Sequence, residues 1–340
     1  MADRRHVAAG VLALTLAAGF AGCDADAVGE QGTEPQGVVY GLGDDHRLWR
    51  WQVDSSEAEP VLDLSGVWDA EGDVGTVLNA SLSIDPGQRY AAWVAGGGTD
   101  AELMVGDLRD GETTGASSYP VDHACLDPTW LADGSALLVH RAAVWGEGPG
   151  DDAQTDATPM LQQVFGPTEW YSPAAGSMES NVDLGEGCRL RWYTAEDGSA
   201  EGIYHSLDVT ELYRVDAAGR VTETLPVADL DGAQGAVTGM IGVDPSGRYV
   251  CLADGYAEHS GFEGGFAIRP QAGTTVVDLE TGDAVGPEGA SCESMQSDGY
   301  LSREDETVRL VDYGGEAVWE TDLPDEIVNA PNLFYYPAGS

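Results

Sequence analysis

Residues able to do chemistry are plentiful in this 340-residue chain, but few stand at a spacing that a reaction needs. No Gly-x-Ser-x-Gly exposes a nucleophilic serine, no His-Glu-x-x-His could hold zinc, no P-loop cradles phosphate, and no Gly-x-Gly-x-x-Gly opens a helix. Asp151, Asp152 and Asp156, with Glu147 nearby, are the weak candidates for a metal site, since carboxylate oxygens suit a hard cation such as Ca²⁺. They lack the alternating Asp pattern of a calcium loop, so calcium is the single alternative to a chain with no cofactor. His205 and His259 have no carboxylate at a fixed spacing and make a poor metal pair. A glycan hydrolase needs only two carboxylates at the right separation, and 59 Asp plus Glu leave that alternative open. Aromatic side chains give the better clue. Trp145, Tyr256, His259 and Phe262 fall in long polar or Gly-rich stretches and are the candidates for binding by stacking, with Trp170 beside a strand. Trp93, Trp130 and Trp192 sit within apolar runs and read as core, and Trp49 and Trp51 share one side of a strand.

The charge narrows the partners. Fifteen Arg, no Lys and 59 acids give a formal charge of −44, which repels nucleic acid and argues against a polybasic membrane patch. Hydrophobic residues at 42% and nine Trp exclude a disordered acidic tail. The acidity reads as a solvated surface, from a salt-adapted source or simply an exported protein.

The first residues form an address. Arg4 and Arg5 precede an uncharged apolar run over 7–20, too short to span a bilayer and the right length for a signal-peptide core. The run ends in Phe20-Ala21-Gly22-Cys23, which resembles the lipoprotein box of bacterial exported proteins. The resemblance implies cleavage after residue 22 and lipidation of Cys23, with Phe20 departing from the usual aliphatic residue. Residues 23–36 then read as a lipidated Cys and an acidic tether reaching at most about 45 Å. The expected location is the outer face of the cytoplasmic membrane or the cell envelope. Cys125, Cys188, Cys251 and Cys292 remain, an even number in an exported chain, which suggests two disulfides. Three connectivities are open, and sequential pairing, Cys125 with Cys188 and Cys251 with Cys292, is preferred.

From residue 37 on, the chain repeats a short pattern: an apolar strand, an Asp/Pro/Gly turn and a second apolar strand. It occurs at 82–87 (LSIDPG) before RYAAWVA, at 128–134 (PTWLADG) before SALLVH, at 241–247 (IGVDPSG) before RYVCLA, and more weakly at 295–299 (MQSDG). Each cluster supplies the tight turn of a β-hairpin, and two more strands follow most of them. The unit is a four-stranded antiparallel meander with the period of a propeller blade. Residues 333–339 (LFYYPAG) look like the first strand of a blade that stops, and 37–64 like a blade lacking its first strand. Joining them closes a circle. Spacings of 47, 52 and 40 residues separate turn glycines 87–134, 247–299 and 299–339, and the 113 residues from 134 to 247 hold two blades. The expectation is an all-β propeller of six blades, with seven possible, over residues 37–340. A blade boundary is placed at 170–176 (WYSPAAG), with Asp197-Gly198 as the alternative turn.

These hairpins resemble the TolB-like and WD-repeat-like β-propellers of bacterial envelopes, and 83–87 half-matches the Asp box of sialidase-type propellers. The resemblance implies a platform for protein or sugar binding more often than an enzyme. Three long segments, 145–160, 195–208 and 255–273, read as second-to-third-strand loops on one face, where recognition is expected. The expected function is a monomeric, lipid-anchored, non-catalytic binding module for an envelope protein or a carbohydrate. A propeller-type glycan hydrolase and a purely structural surface lipoprotein are the alternatives.

Overall fold

The computed structural model describes residues 35–65, 82–95, 102–118, 128–140, 168–182, 188–206, 209–233, 237, 239–253, 256–257, 269–270, 275–287 and 291–339. Their regular structure is almost wholly β. Among them no helix is long and apolar enough to cross a membrane. The chain begins with β1 (Val38–Leu42), β2 (Arg47–Gln52) and β3 (Ala58–Asp63). The first continuous blade is β4 (Ser83–Ile84), β5 (Tyr90–Ala95), β6 (Glu102–Asp107) and β7 (Thr113–Ser118). The second is β8 (Thr129–Trp130), β9 (Leu137–His140), β10 (Thr168–Ser172) and β11 (Ser177–Val182). The third is β12 (Cys188–Thr194), β13 (Ala200–His205), β14 (Glu211–Asp216) and β15 (Val221–Pro226).

The fourth blade pairs β16 (Gly239–Val243), β17 (Tyr249–Ala253), β20 (Thr275–Asp278) and β21 (Ala284–Val285). A two-stranded ribbon, β18 (Tyr256–Ala257) with β19 (Arg269–Pro270), rises from its middle connection. The fifth blade is β22 (Ser294–Gln296), β23 (Gly299–Glu304), β24 (Thr307–Val311) and β25 (Ala317–Asp322). Last comes β26 (Leu333–Tyr336), which pairs antiparallel with β1, Val38 opposite Tyr336 and Gly41 opposite Leu333. The sheet β26-β1-β2-β3 therefore joins both chain ends.

This arrangement corrects the expected count and phasing of six or seven repeating blades. The described residues give five four-stranded blades, each from one continuous stretch, and the remaining four-stranded sheet is the composite of the two chain ends. No seventh such sheet occurs among them. The boundary placed at 170–176 is also overturned: those residues lie on β10 and its turn to β11, the outer hairpin of the second blade. Asp197-Gly198 is the inner turn of the third blade, between β12 and β13.

The blades associate because alternate side chains of one strand point to opposite sheet faces, and here a neighbour covers each face. Strand β1 is buried along its whole length. Its Val38 and Tyr40 pack in a cluster with Ile84 and Trp93 of the first blade, while Val39 packs with Leu301 and Leu310 of the fifth. Tyr193 and Ile203 of the third blade join Met240 and Val250 of the fourth in the same way.

The Asp of the repeated turn is a buried cap. Asp85, 3% exposed, accepts hydrogen bonds from the backbone N–H groups of Gly87 (3.0 Å), Arg89 (2.6 Å) and Tyr90. Asp244 accepts from Ser246 (3.0 Å) and Tyr249 (2.7 Å). Four positions on from each Asp, Arg89 and Arg248 reach Asp107 and Asp278 at the end of the third strand. The Tyr that follows stacks across to the next blade, Tyr90 on Trp130 and Tyr249 on Tyr313, the latter at 3.7 Å between centroids. Gly247 of this turn has φ +73°, and a Cβ there would fall 2.3 Å from the Tyr193 ring, so only glycine fits. A second repeat caps the outer hairpins. Asp107, Asp216, Asp278 and Asp312 each accept from the amide two residues on. Arg109 beside Asp107 holds its carboxyl down at about 2.

Cys251 on β17 and Cys292, just before β22, are bonded to each other with Cα atoms 6.2 Å apart. Both are fully buried, so the bond straps the fourth blade to the fifth. Closing a loop of 41 residues restricts the unfolded chain, an effect of about 2–4 kcal/mol. Replacing both cysteines by alanine is expected to lower the urea midpoint accordingly, followed by Trp fluorescence. An unchanged midpoint would remove the strap from the account.

Candidate functional site: an axial cavity

The six innermost strands stand side by side in a ring. Contacts link β4 to β8, β8 to β12, β12 to β16, β16 to β22 and β22 to β26. Tyr336 closes the ring, its hydroxyl donating to the Ile84 carbonyl at 3.0 Å. Complete burial, with Asp85 and Tyr40 nearby, pushes the Tyr336 phenol well above its ordinary range, so it stays a donor.

Inside the ring is a cavity of about 450 Å³, within the range of small-ligand sites. Each inner strand gives it an apolar side chain: Ile84, Trp130, Trp192, Val243, Met295 and Phe334. It runs along these strands to the turns that follow them, where Pro86, Ala132, Pro245 and Ser297 line its mouth. Polar side chains in the wall mostly bridge blades. Arg191 donates to Thr129 Oγ1 (3.3 Å) in the second blade and to the Ile241 carbonyl (3.4 Å) in the fourth. Ser294 accepts from the Tyr335 amide at 3.1 Å, and Gln296 donates to the Tyr335 carbonyl. Arg191 and Glu293 are the charged residues of the lining. The Glu293 carboxylate is 5% exposed and paired with Arg303 at 2.9 Å.

Two further polar atoms in lining residues are buried with no hydrogen-bond partner among the described residues: the indole N–H of Trp130 and the hydroxyl of Ser83. A buried donor left this way costs about 1–3 kcal/mol until water or a ligand accepts from it. Trp93 also carries such an N–H but packs in the cluster between the first blade and the composite sheet.

The mouth opens on the face of the inner turns, and both chain ends come to that face. Tyr336 ends β26 opposite Val38, which starts β1, and the Tyr335 hydroxyl donates to the Gln36 carbonyl at 3.0 Å. The second-to-third-strand connections leave from the opposite face. The segment 145–160 lies within the connection from β9 to β10, and 255–273 within that from β17 to β20. There Ala253, the last residue of β17, pairs with Gly239, the first of β16, and the ribbon continues beyond, with Tyr256 opposite Pro270. The segment 195–208 is not a loop of this set. It begins with the inner turn 195–199, on the cavity's face, and continues as β13, whose Ile203, Tyr204 and His205 are buried.

Of the residues expected to bind, Tyr256 is on the ribbon, while Trp145, His259 and Phe262 lie outside the described residues, as do Asp151, Asp152, Asp156, Cys23 and Cys125. Cys188 starts β12, opposite His205. Among the described residues no group of three His, Cys, Asp or Glu is arranged to hold a metal ion. Trp93 is core, as are Trp130 and Trp192, but these two also form cavity wall. Sequence reasoning missed the cavity residues because each blade supplies only one short run of them, and the runs stand far apart in the chain. The signal was present in the residues just before each Asp/Pro/Gly turn, which the repeat marks as innermost.

Together the ring, the blade order and the composite sheet define a β-propeller. The fold has a counterpart among solved structures. The crystal structure of TolB from Acinetobacter baumannii is similar over 88% of this chain and 67% of that one, with a TM-score of 0.50 and 14% identity. A putative TolB from Agrobacterium tumefaciens aligns over 89% and 91% of the two chains at 12% identity and a TM-score of 0.39. A chain of the nidogen/laminin complex aligns over 88% and 96% at 9% identity and a TM-score of 0.48. No protein-family model and no curated protein sequence matches this chain.

The hydrogen bond from Tyr336 to Ile84 closes the ring, and its loss leaves a buried carbonyl unpaired. Tyr336→Phe is expected to cost about 1–2 kcal/mol in urea unfolding. No measurable change would mean that the ring closes by packing alone.

Proposed function

We propose that this protein is an exported, lipid-anchored binding module of the cell envelope whose axial cavity engages an envelope protein or a carbohydrate without covalent chemistry. The observation that carries the reading is the cavity itself: a ring of inner strands enclosing about 450 Å³ and lined by aromatic and polar side chains. Function on propellers resides in sites built on the scaffold rather than in the fold. Lipidation at Cys23 would tie the chain to the membrane from the cavity's face, because Gln36 and Val38 stand there. The connections that contain 145–160 and 255–273 leave the blades on the other face, which is a second candidate surface.

The test is capture from detergent-solubilised envelope with the full-length chain as bait. Two variants accompany it. One narrows the mouth by Ala132→Trp, a partly exposed turn position. The other replaces 145–160 and 255–273 by short Gly-Ser turns. Capture retained by the loop variant and lost by Ala132→Trp is the expected result. The reverse would move the site to the loops. Equal capture by all three would contradict both surfaces, and cleavage of an added glycan would replace binding by hydrolysis. In parallel, Cys23→Ser is expected to shift the protein from the membrane to the soluble fraction.

A further inference from the structure

We propose that the axial cavity receives an apolar side chain that a partner protein presents between basic residues. The inference rests on the reading above in placing the binding site in the cavity, and adds the chemistry of what enters it.

The wall offers a ligand carbon rather than hydrogen-bonding groups. Trp130, Trp192, Met295 and Phe334 line it from four different inner strands. The indole nitrogens of both Trp and the hydroxyl of Ser83 have almost no accessible surface, so these side chains meet a ligand with carbon alone. Other polar side chains of the wall are tied into the ring. Arg191 donates to Thr129 and to the Ile241 carbonyl, Ser294 and Gln296 bond the backbone of Tyr335, and Glu293 pairs with Arg303. Just past three of the inner strands, Pro86, Pro245 and Pro337 add rings that carry no N–H donor. A sugar buried here would give up hydrogen bonds to water and find few in return. An apolar side chain gives up nothing and gains by leaving water.

Around the mouth the charge is negative. The inner turns of the second, third and fifth blades carry Asp133, Glu196, Asp197 and Asp298, all exposed. Hydrogen bonds from Ser135 and Ser199 hold the carboxyls of Asp133 and Asp197 below the usual range, so both are ionised at neutral pH. Arg89 and Arg248, which follow two other inner turns, pair with Asp107 and Asp278. Three blades supply the four acids, which spreads the charge around the opening. Its complement is a chain with basic residues on both sides of the inserted group, rather than one small cation. Those basic groups stay at the rim, because burying a cation in the apolar depth is far more costly than leaving it in water. The whole-chain charge of −44 acts in the same direction, drawing a basic segment in and raising its rate of encounter.

The test is calorimetric titration of the full-length protein in a neutral detergent, at about 50 and about 300 mM salt. The probe is the peptide Gly-Arg-Arg-Phe-Arg-Arg-Gly, blocked at both ends. A second peptide has Gly in place of Phe, and a third has Gln in place of every Arg. The first is expected to bind at least about tenfold more tightly than the second at both salt concentrations, since burial of the ring is not screened. The third should bind at least about tenfold more weakly than the first at low salt. Ala132→Trp should bring the first and second within about twofold of each other. Asp133→Asn combined with Asp298→Asn should weaken the first and second alike, about fivefold, and leave their ratio unchanged. An unchanged near-ultraviolet circular dichroism spectrum certifies that each variant is folded. Equal binding of the first and second peptides overturns the proposal, because the attraction is then that of any polyacid for a polycation. Equal binding of the first and third, or no binding of any, overturns it as well. If no peptide binds while Ala132→Trp still abolishes envelope capture, the binding module stands and this ligand chemistry falls. Displacement of the captured partner by a soluble envelope glycan would assign the cavity to carbohydrate instead.

Discussion

Every blade of this protein has two apolar faces and no way to cover either by itself. That constraint governs the rest. Val38 and Val39, adjacent on one strand, bury against different neighbours, so each blade depends on two others. A row of such blades would leave apolar faces bare at both ends, and only a closed ring removes them. Closure falls to four residues at the end of the chain, Leu333–Tyr336, which complete a sheet begun almost 300 positions earlier. Around this clasp the other fastenings are secondary: stacked Tyr pairs between blades, Arg191 across two blades and the buried cysteine strap.

The same ring produces the cavity. Six inner strands brought to one axis cannot fill the space between them completely, and the side chains there are shared among blades. Polar groups in this zone are mostly spent on holding the ring, as with Tyr336 and Ser294. A hydroxyl on β4 and an indole N–H on β8 stay buried there without a partner among the described residues. The geometry also separates two surfaces. The cavity and both described chain ends share the face of the inner turns, and the second strands of the second and fourth blades end at the other.

Much of the architecture was legible because its turns are chemically marked. Asp85 and Asp244 cap inner hairpins with backbone hydrogen bonds, and a capping Asp followed by Arg-Tyr survives as a visible motif. The apolar segment 333–336 could be matched to 38–42 because both lack the partner the repeat demands. Trp170–Gly176 misled because an aromatic strand ending in Pro and Gly looks the same whether its hairpin is inner or outer. The Asp-capped outer turns at Asp107, Asp216, Asp278 and Asp312 carry the signal that fixes the phase. The segment 195–208 read as a loop because Gly198, Gly202 and several acids interrupt it, yet burial between neighbouring blades makes 200–205 a strand. The cavity was not legible for a different reason. Its residues come as one short run per blade, the runs about 50 positions apart, and acquire a common purpose only when the ring closes.

The central claim is that the C-terminal strand closes the ring on which fold and cavity depend. The most direct measurement is urea unfolding and near-ultraviolet circular dichroism of a chain ending at Asn332, compared with the full chain. Burial of Leu333, Tyr335 and Tyr336 is worth about 1.5–3 kcal/mol per side chain, together a large part of a typical domain's 5–15 kcal/mol. The shortened chain should therefore lose the sharp transition and the aromatic signal, and a synthetic peptide of residues 331–340 should restore both. A shortened chain with the same urea midpoint and the same spectrum would show that the blades hold together without closure.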